Sequence, residues 1–222
     1  MIDRIHQLLS EQPTSYLAAK LHSAQLDQLL DYHYQPVEEA LIRKSKEESQ
    51  LKNELEKQKW IGLDIQSMQT PYSEILEMIN VIQPKETDHW IDIGAAYGRV
   101  GVVLALMRPQ MRFSGYEIVT ERVVEANRIY RKWNFQNTIV YESDLADPKA
   151  SIPSADLYFI YDFGSRKDAD IVIEKLRLLA LNKPIQVIAR GRGIKNWIMM
   201  DYPWISQMKP PKHFNHWSWF QS

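Results

Sequence analysis

Cysteine is absent from this sequence of 222 residues, which excludes disulfides, thiolate metal ligands and cysteine nucleophiles. Long apolar runs are absent as well. The longest covers residues 102–107, far below the roughly 18 residues that a membrane-spanning helix needs. The N-terminus also lacks the basic start and apolar stretch of a signal peptide. We therefore expect a cytoplasmic protein without a membrane partner.

A strong net charge is lacking too, since 27 basic side chains stand against 28 acidic ones and the formal net charge is -1. Without a basic excess, no overall field draws the chain onto nucleic acid, so a nucleic-acid partner is not expected. The hydrophobic fraction of 45% is enough for one well-filled core with an appendage.

The first 62 residues have the pattern of a helical extension. Apolar residues at helical spacings over residues 1–35, interrupted by Pro13, predict two short amphipathic helices. Residues 36–60 are rich in helix formers, but their apolar seam is broken around Lys44 and Glu48, which is atypical of a coiled coil. We expect this helix to pack one apolar stripe of side chains against the main domain. The alternative is that the helix contacts a partner protein or a second copy of the chain.

From residue 63 to 222 the pattern changes to short apolar strands that alternate with helical stretches. Helices are predicted over 70–82, about 99–107, 120–132 and about 167–181, with short strands between them. This alternation is typical of an α/β domain with a mostly parallel sheet and helices on both faces. The tail after residue 190 shows no clear helix and is predicted to form two late strands that close the sheet edge.

The segment IDIGAAYGRVG, residues 91–101, lies where a strand turns into a helix. A dinucleotide-binding turn needs a middle glycine where this chain has Ala96. A triphosphate-binding loop needs a lysine after its last glycine, but Arg99 follows Gly98. Asp92 at the strand end and two glycines, Gly94 and Gly98, remain, and none of them needs a phosphate.

Two further acids follow the next two predicted strands. Glu117 ends the second strand, where a carboxylate can accept both hydroxyls of a ribose, and Asp144 follows the third, where it can accept from an exocyclic amine. Asp92 can meet an ammonium group. Together these acids suit S-adenosylmethionine as a cofactor, because it carries an ammonium, a ribose and an adenine but no phosphate.

The arrangement resembles the class I S-adenosylmethionine-dependent methyltransferases over residues 70–222. The stretch from Asp92 to Gly98 matches the first motif of that family, Gly115 to Glu117 the second, and Glu142 to Asp144 the third. The resemblance implies a Rossmann-like sheet of seven strands with the last strand antiparallel. It also implies the cofactor-binding residues Asp92, Gly94, Ala95, Gly98, Glu117 and Asp144. Ala96 departs from the glycine that is usual in the first motif.

Within that family the chain looks like the protein-lysine methyltransferase branch that includes the Dot1-type enzymes. The resemblance implies that the segment from Gln69 to Tyr72 covers the cofactor, and that the loop after strand four lines the channel for the acceptor. In that loop Asp162 can attract a cationic amine, and Tyr161 and Phe163 can wall a narrow channel. The alternative is structural: Phe163 belongs to the core, and Asp162 caps the helix that begins near Ser165.

The acceptor stays open at this stage. A nitrogen such as protein lysine is the first expectation. The alternatives are a small-molecule acceptor with the N-terminal helices as a lid, or a scaffold that binds S-adenosylmethionine without catalysis. Arg190 and Arg192 alternate with glycines in a way that suits either phosphate binding or a plain turn. No metal site is expected, because His213 and His216 have no further ligands nearby.

Overall fold

The computed structural model describes residues 1–49 and 59–222 and contains one sheet of seven strands with helices on both faces. The strands are β1 (His89–Ile93), β2 (Arg112–Glu117), β3 (Thr138–Glu142), β4 (Leu157–Tyr161), β5 (Gln186–Arg190), β6 (Lys209–His213) and β7 (Trp217–Gln221). The helices are α1 (Ile2–Leu9), α2 (Tyr16–Leu30), α3 (Tyr34–Ser49), α4 (Ile65–Met68), α5 (Tyr72–Ile82), α6 (Arg99–Met107), α7 (Thr120–Lys132), α8 (Arg166–Ala180) and α9 (Arg192–Asp201). A 3-10 turn covers Pro203–Ser206.

The strand order is β3-β2-β1-β4-β5-β7-β6, in which β7 is antiparallel to both of its neighbours. The five strands from β3 to β5 are parallel, so their carboxyl ends lie at one edge of the sheet. The predicted α/β class, the seven strands and the antiparallel last strand are therefore confirmed.

The sheet is buried on both faces because its central strands carry apolar residues at successive positions. Trp90 of β1 faces the cluster formed with α5, α6 and α7, whereas the next residue, Ile91, faces the cluster formed with α8 and α9. In β4, Phe159 and Ile160 divide between the two clusters in the same way. Such continuous apolar strands are expected when helices cover both sides of a parallel sheet.

The N-terminal helices belong to the first of these clusters. Leu26 and Leu30 of α2 are buried in the same apolar cluster as Ile75 and Ile79 of α5. Helix α3 is described only as far as Ser49, so the part of the predicted 36–60 helix that falls on residues 50–58 lies outside the described residues. The domain boundary at residue 62 and the partner contact through this helix stay predictions.

The prediction for the tail is wrong in one element, since α9 forms where no helix was expected. Ile194 and Ile198 are four residues apart and are both buried, which is the apolar spacing of a helix with one covered face. The flanking glycines and Pro203 obscured that pattern. The first backbone N–H groups of α9 bond to the carboxylate of Asp162, a partner far away in sequence.

His89 at the start of β1 makes folding stability depend on pH. Its Nε2 lies 2.9 Å from Ser114 Oγ, and Arg112 donates to its Nδ1 at 2.9 Å. Burial and the nearby Arg112 charge lower the pKa of His89 from 6.5 to about 4. The unfolded chain therefore binds more protons between these two values, so the stability present above pH 6.5 is lost as the pH falls towards 4.

We expect the free energy of unfolding to drop by about 2 kcal/mol from pH 7 to pH 5 through His89 alone. Urea unfolding at the two pH values measures the drop, and the matched variant is His89→Gln, which keeps an amide at the same place without a titrating group. The variant should lose about 2 kcal/mol less than the wild type over this interval. An equal loss in both proteins would contradict the assignment to His89.

Candidate functional site

A cavity of about 230 Å³ opens at the carboxyl ends of the parallel strands. The turn after β1, the end of β2, the loop after β3 and the loop after β4 each contribute to its wall, and residues 59–68 close one side. This is the usual place for a ligand in an open α/β sheet. Of the predicted site residues it brings together Gly94, Glu117, Asp144, Tyr161, Asp162 and Phe163.

The turn after β1 is held in shape by β2. The backbone N–H groups of Gly94 and Ala95 both donate to the Tyr116 carbonyl at 2.9 Å. Gly94 has a φ of +85°, and a Cβ added to it would lie 3.2 Å from Phe163 Cβ. A side chain at this position would be strained and would crowd the loop after β4, so the glycine brings the two loops together at the cavity wall.

Glu117 links this turn to the start of α7. Its Oε2 accepts from the N–H of Ala96 at 2.9 Å, while its Oε1 accepts from the N–H groups of Ile118 and Val119 at 2.9 and 3.0 Å. Burial raises the pKa of Glu117, and the nearby Arg122 charge and these three donors oppose that rise. The carboxyl group therefore stands at the cavity wall in a fixed orientation.

The part of the cavity beyond Glu117 has one polar and two apolar walls. Asp144 accepts the Ala146 N–H with Oδ1 at 3.0 Å, which fixes the carboxylate in the turn after β3. Ile118 and Leu145 border the same space with apolar side chains. Apolar walls with a few fixed polar groups are typical of a site for a flat organic ring.

A second, smaller cavity of about 20 Å³ adjoins the first beside Gly94. It shares Met68, Gly94, Ala96 and Tyr161 with the larger cavity, and Asp92, Gln69, Thr70 and Arg99 border it in addition. Burial, with a smaller contribution from the Glu117 charge, raises the pKa of Asp92 well above its ordinary value. No described residue donates a hydrogen bond to the Asp92 carboxyl group.

Several buried polar atoms around this smaller cavity have no hydrogen-bond partner. They are Gln69 Nε2 and Oε1, Thr70 Oγ1 and Arg99 Nε. Buried polar groups are nearly always paired in folded proteins, and each unpaired one costs about 1–3 kcal/mol. Both donors and acceptors are unpaired here, so the chemistry of this set fits a ligand group that carries a positive and a negative charge together.

Arg99 is held in place by the N-terminal helices. Its Nη2 donates to Asp27 Oδ2 of α2 at 2.6 Å, and its Nη1 donates to the Thr70 carbonyl at 3.1 Å. Its guanidinium carbon lies 4.7 Å from the centre of the Tyr72 ring. Arg99 is only 2% exposed, so its charge is compensated by Asp27 rather than by water.

The three predicted residues of the loop after β4 lie at the other end of the cavity. Tyr161 donates its hydroxyl to the Ser67 carbonyl at 3.0 Å, and its ring stacks against Arg190. Phe163 borders the cavity and also contacts the apolar cluster under α8 and α9. Asp162 caps α9, while α8 is capped by Ser165, so the structural alternative, in which Asp162 caps the helix near Ser165, does not hold.

Two other predictions need correction. Gly98 borders neither cavity: its φ of +72° starts α6, and an added Cβ would lie 2.3 Å from Tyr130 Oη, so its role is structural. Tyr72 does not cover the cavity, because its ring is buried in α5 and its hydroxyl donates to Asp27 at 2.8 Å.

Of the two interpretations of the Arg190 segment, phosphate binding is not favoured for Arg190, because Glu74 binds this arginine in a bidentate pair at 2.6 and 3.2 Å.

Two parts of the site were missed by sequence reasoning. Arg99 beside the smaller cavity was not predicted, although it follows directly on the glycine turn, whereas Gln69 and Thr70 belong to the segment 69–72 that the resemblance places over the cofactor. Arg122 and the segment 59–68 were not predicted either. No group of three His, Asp or Glu side chains suited to a metal ion occurs in the described ranges, and within the same ranges no helix is long and apolar enough to cross a bilayer.

No family model and no curated protein matches this chain. Solved structures do match. An RNA methyltransferase from Salinibacter ruber, crystallised with S-adenosyl-L-homocysteine, is 18% identical with a TM-score of 0.50, and the match covers 69% of this chain and 91% of that one. A precorrin-6y C5,15-methyltransferase from Geobacter metallireducens is 12% identical with a TM-score of 0.50, over 72% and 91% of the two chains.

The strand order, the antiparallel β7 and these two structures define the fold of the chain. It is the Rossmann-like fold of the class I methyltransferases, with helices added at the N-terminus. At 12 and 18% identity the likeness concerns the fold, so the chemistry has to be argued from the residues of this chain.

Proposed function

We propose that this protein is a methyltransferase that binds S-adenosylmethionine and transfers its methyl group to a nucleophilic acceptor. The observation that carries the proposal is the pair of adjoining cavities, in which Asp92 and four unpaired buried polar atoms border the narrow end beside Gly94, and Glu117 and Asp144 border the wider part. The amino-acid end of S-adenosylmethionine supplies an ammonium for Asp92 and a carboxylate for the donors of Arg99, Gln69 and Thr70. No other common nucleotide-like ligand carries this pair of charges without phosphates.

The larger cavity suits the rest of the same molecule. Glu117 would accept hydrogen bonds from the ribose hydroxyls, and Asp144 from the adenine amine, between the apolar side chains of Ile118 and Leu145. When bound, the cofactor supplies an electrophilic methyl group on a sulfonium. The turn at Gly94 brings backbone close to this end of the cavity without a side chain to crowd it.

The chain's own contribution to the chemistry would be orientation and exclusion of water. Methyl transfer needs the nucleophile about 3–3.5 Å from the methyl carbon and in line with the breaking bond. Tyr161 and Phe163 border the cavity at the end where an acceptor would enter, and the Tyr161 hydroxyl is fixed on Ser67. Aromatic walls restrict the acceptor to a narrow approach.

We propose a nitrogen such as a protein lysine as the acceptor. Asp162 is supported by two backbone N–H groups of α9 and borders the cavity beside Phe163, so its carboxylate would attract a cationic amine. The aromatic rings of Tyr161 and Phe163 would favour an acceptor with an alkyl stem and a cationic head.

Incubating the protein with labelled cofactor and cell extract separates the classes of acceptor. Label in protein would support lysine, whereas label only in RNA or in small metabolites would contradict a lysine acceptor.

Calorimetry with S-adenosylhomocysteine tests the proposed cofactor. We expect binding by the wild type and an affinity at least tenfold lower for Glu117→Gln, because the hydroxyl-accepting carboxylate is lost at a buried site. The matched control is Glu142→Gln, which changes the residue opposite Glu117 on β3, exposed and outside the cavity. No binding by the wild type at millimolar ligand would refute the proposed function.

A further inference from the structure

Residues 59–68, here called the strap, form a wall of the larger cavity that does not come from the sheet. The strap follows α3 in sequence, includes α4 and ends just before Gln69. The cavity that Ile118 and Leu145 border is also lined by five residues of the strap: Lys59, Trp60, Leu63, Ser67 and Met68. One wall of the predicted nucleoside site therefore depends on how this segment is held.

The N-terminal end of the strap is held by Arg122 of α7. The guanidinium donates with Nη1 to the Lys59 carbonyl at 2.9 Å and with Nη2 to the Trp60 carbonyl at 3.3 Å. Arg122 is only 2% exposed, so its guanidinium lies out of water, although the two carbonyls belong to exposed residues. Because this buried cation donates to two main-chain carbonyls, it fixes the path of the backbone at Lys59 and Trp60 rather than a side chain.

The same guanidinium is joined to the glycine turn. Arg122 Nε donates to Glu38 Oε1 of α3 at 2.9 Å, and Nη2 donates to Glu38 Oε2 at 3.3 Å. Tyr97, in the turn between Gly94 and Gly98, donates its hydroxyl to Glu38 Oε1 at 2.8 Å. Arg122 also lies near Glu117, whose pKa it influences through charge. One buried cation thus connects the turn after β1, the end of β2 and the strap.

We propose that Arg122 is a positioning residue, which sets the strap as the outer wall of the nucleoside site once cofactor is bound. This inference rests on the proposed function. It assigns the N-terminal helices a part in the site, since Glu38 orients Arg122 from α3. The fork of an arginine is needed, because it meets the Glu38 carboxylate and two carbonyls at once, whereas a lysine ammonium is a single point of charge.

The experiment compares Arg122→Lys, the double variant Glu38→Gln/Arg122→Met and the wild type. The double variant removes both charges, so neither is left buried without a partner. Lys44→Ala is the control, because the exposed Lys44–Glu121 ion pair also joins α3 to α7 but makes no hydrogen bond to the described residues of the strap. Thermal unfolding of each protein checks that it is folded.

We expect S-adenosylhomocysteine and adenosine each to bind at least tenfold more weakly to both Arg122 variants, mainly through faster dissociation. Ligand should slow amide hydrogen exchange over residues 59–68 in the wild type and in Lys44→Ala, and much less in the variants. Equal affinity and equal protection in wild type and Arg122→Lys would overturn the positioning role alone. No binding by the wild type would overturn the proposed function and the positioning role with it.

Discussion

Asp27→Ala is expected to lower the free energy of unfolding by about 3–5 kcal/mol, the cost of leaving a buried charge without its partner. The Asp27 carboxylate accepts from Arg99 Nη2 at 2.6 Å, Gln66 Nε2 at 2.7 Å, Tyr72 Oη at 2.8 Å and Tyr34 Oη at 3.0 Å. Alanine would leave four donors without this acceptor, and two of them, on Arg99 and Tyr72, are buried. Such a loss is a large part of the 5–15 kcal/mol that typical domains possess.

The tyrosines around Asp27 are donors and not further anions. Burial, and then the Asp27 charge, raise the pKa of Tyr72 well above its ordinary value, and the same two causes act on Tyr34. Their hydroxyl groups therefore stay protonated near neutral pH. Arg99 is left as the single charge that Asp27 balances in this network, which is why its removal is costly.

Urea unfolding of Asp27→Ala and of Asp201→Ala provides the matched comparison. Asp201 pairs with Arg166 in an exposed ion pair, and its loss should cost less than about 1 kcal/mol. Adding Arg99→Met to Asp27→Ala should recover part of the lost stability, because the uncompensated cation is then gone. Equal effects of the two aspartate variants would show that the Asp27 network does not stabilise the fold.

The strand-end chemistry could be predicted from the sequence because parallel strands place their carboxyl ends at one edge. Asp92, Glu117 and Asp144 follow or end three successive strands, so the topology alone brings them to one place. Their neighbours in sequence form the local turns. Short continuous apolar runs for the strands and a helical period between them were enough for this prediction.

The long-range ion pairs could not be predicted in this way. Arg99 meets Asp27 across 72 positions in the sequence, Arg122 meets Glu38 across 84, and Arg190 meets Glu74 across 116. Nothing in the local pattern marks an arginine as buried or names its partner. Tyr72 and Gly98 were misassigned for the same reason, since their contacts are with residues distant in sequence.

These three pairs share an arrangement. In each, an arginine at the edge of the sheet that carries the cavity meets a carboxylate from a helix that precedes β1. Arg99 begins α6, Arg122 lies in the first turn of α7, and Arg190 ends β5. The helices before the sheet therefore do more than cover apolar surface: their carboxylates fix three cations around the proposed cofactor site.

Asp92→Asn is expected to bind S-adenosylhomocysteine about 100-fold more weakly than the wild type near pH 7.5, because a buried ammonium would lose its only anionic partner. The wild type should also show a pH dependence. Burial and the Glu117 charge raise the pKa of Asp92, so the free protein keeps this group protonated to a higher pH than usual. An ammonium group binds to the ionised carboxylate of Asp92, so Asp92 must release its proton when the ligand binds.

Affinity of the wild type should therefore rise with pH, by up to tenfold per unit, until Asp92 is ionised in the free protein. The rise should end where Asp92 is ionised in the free protein or where the ligand's own amine begins to lose its proton, whichever comes first. Calorimetry in buffers of different ionisation enthalpy measures the proton released on binding below that point. Glu117 is also buried with a raised pKa, so Glu117→Gln is the necessary comparison. If Asp92→Asn still released the proton on binding and its affinity still rose with pH as in the wild type, Asp92 would not be the group that binds the ammonium.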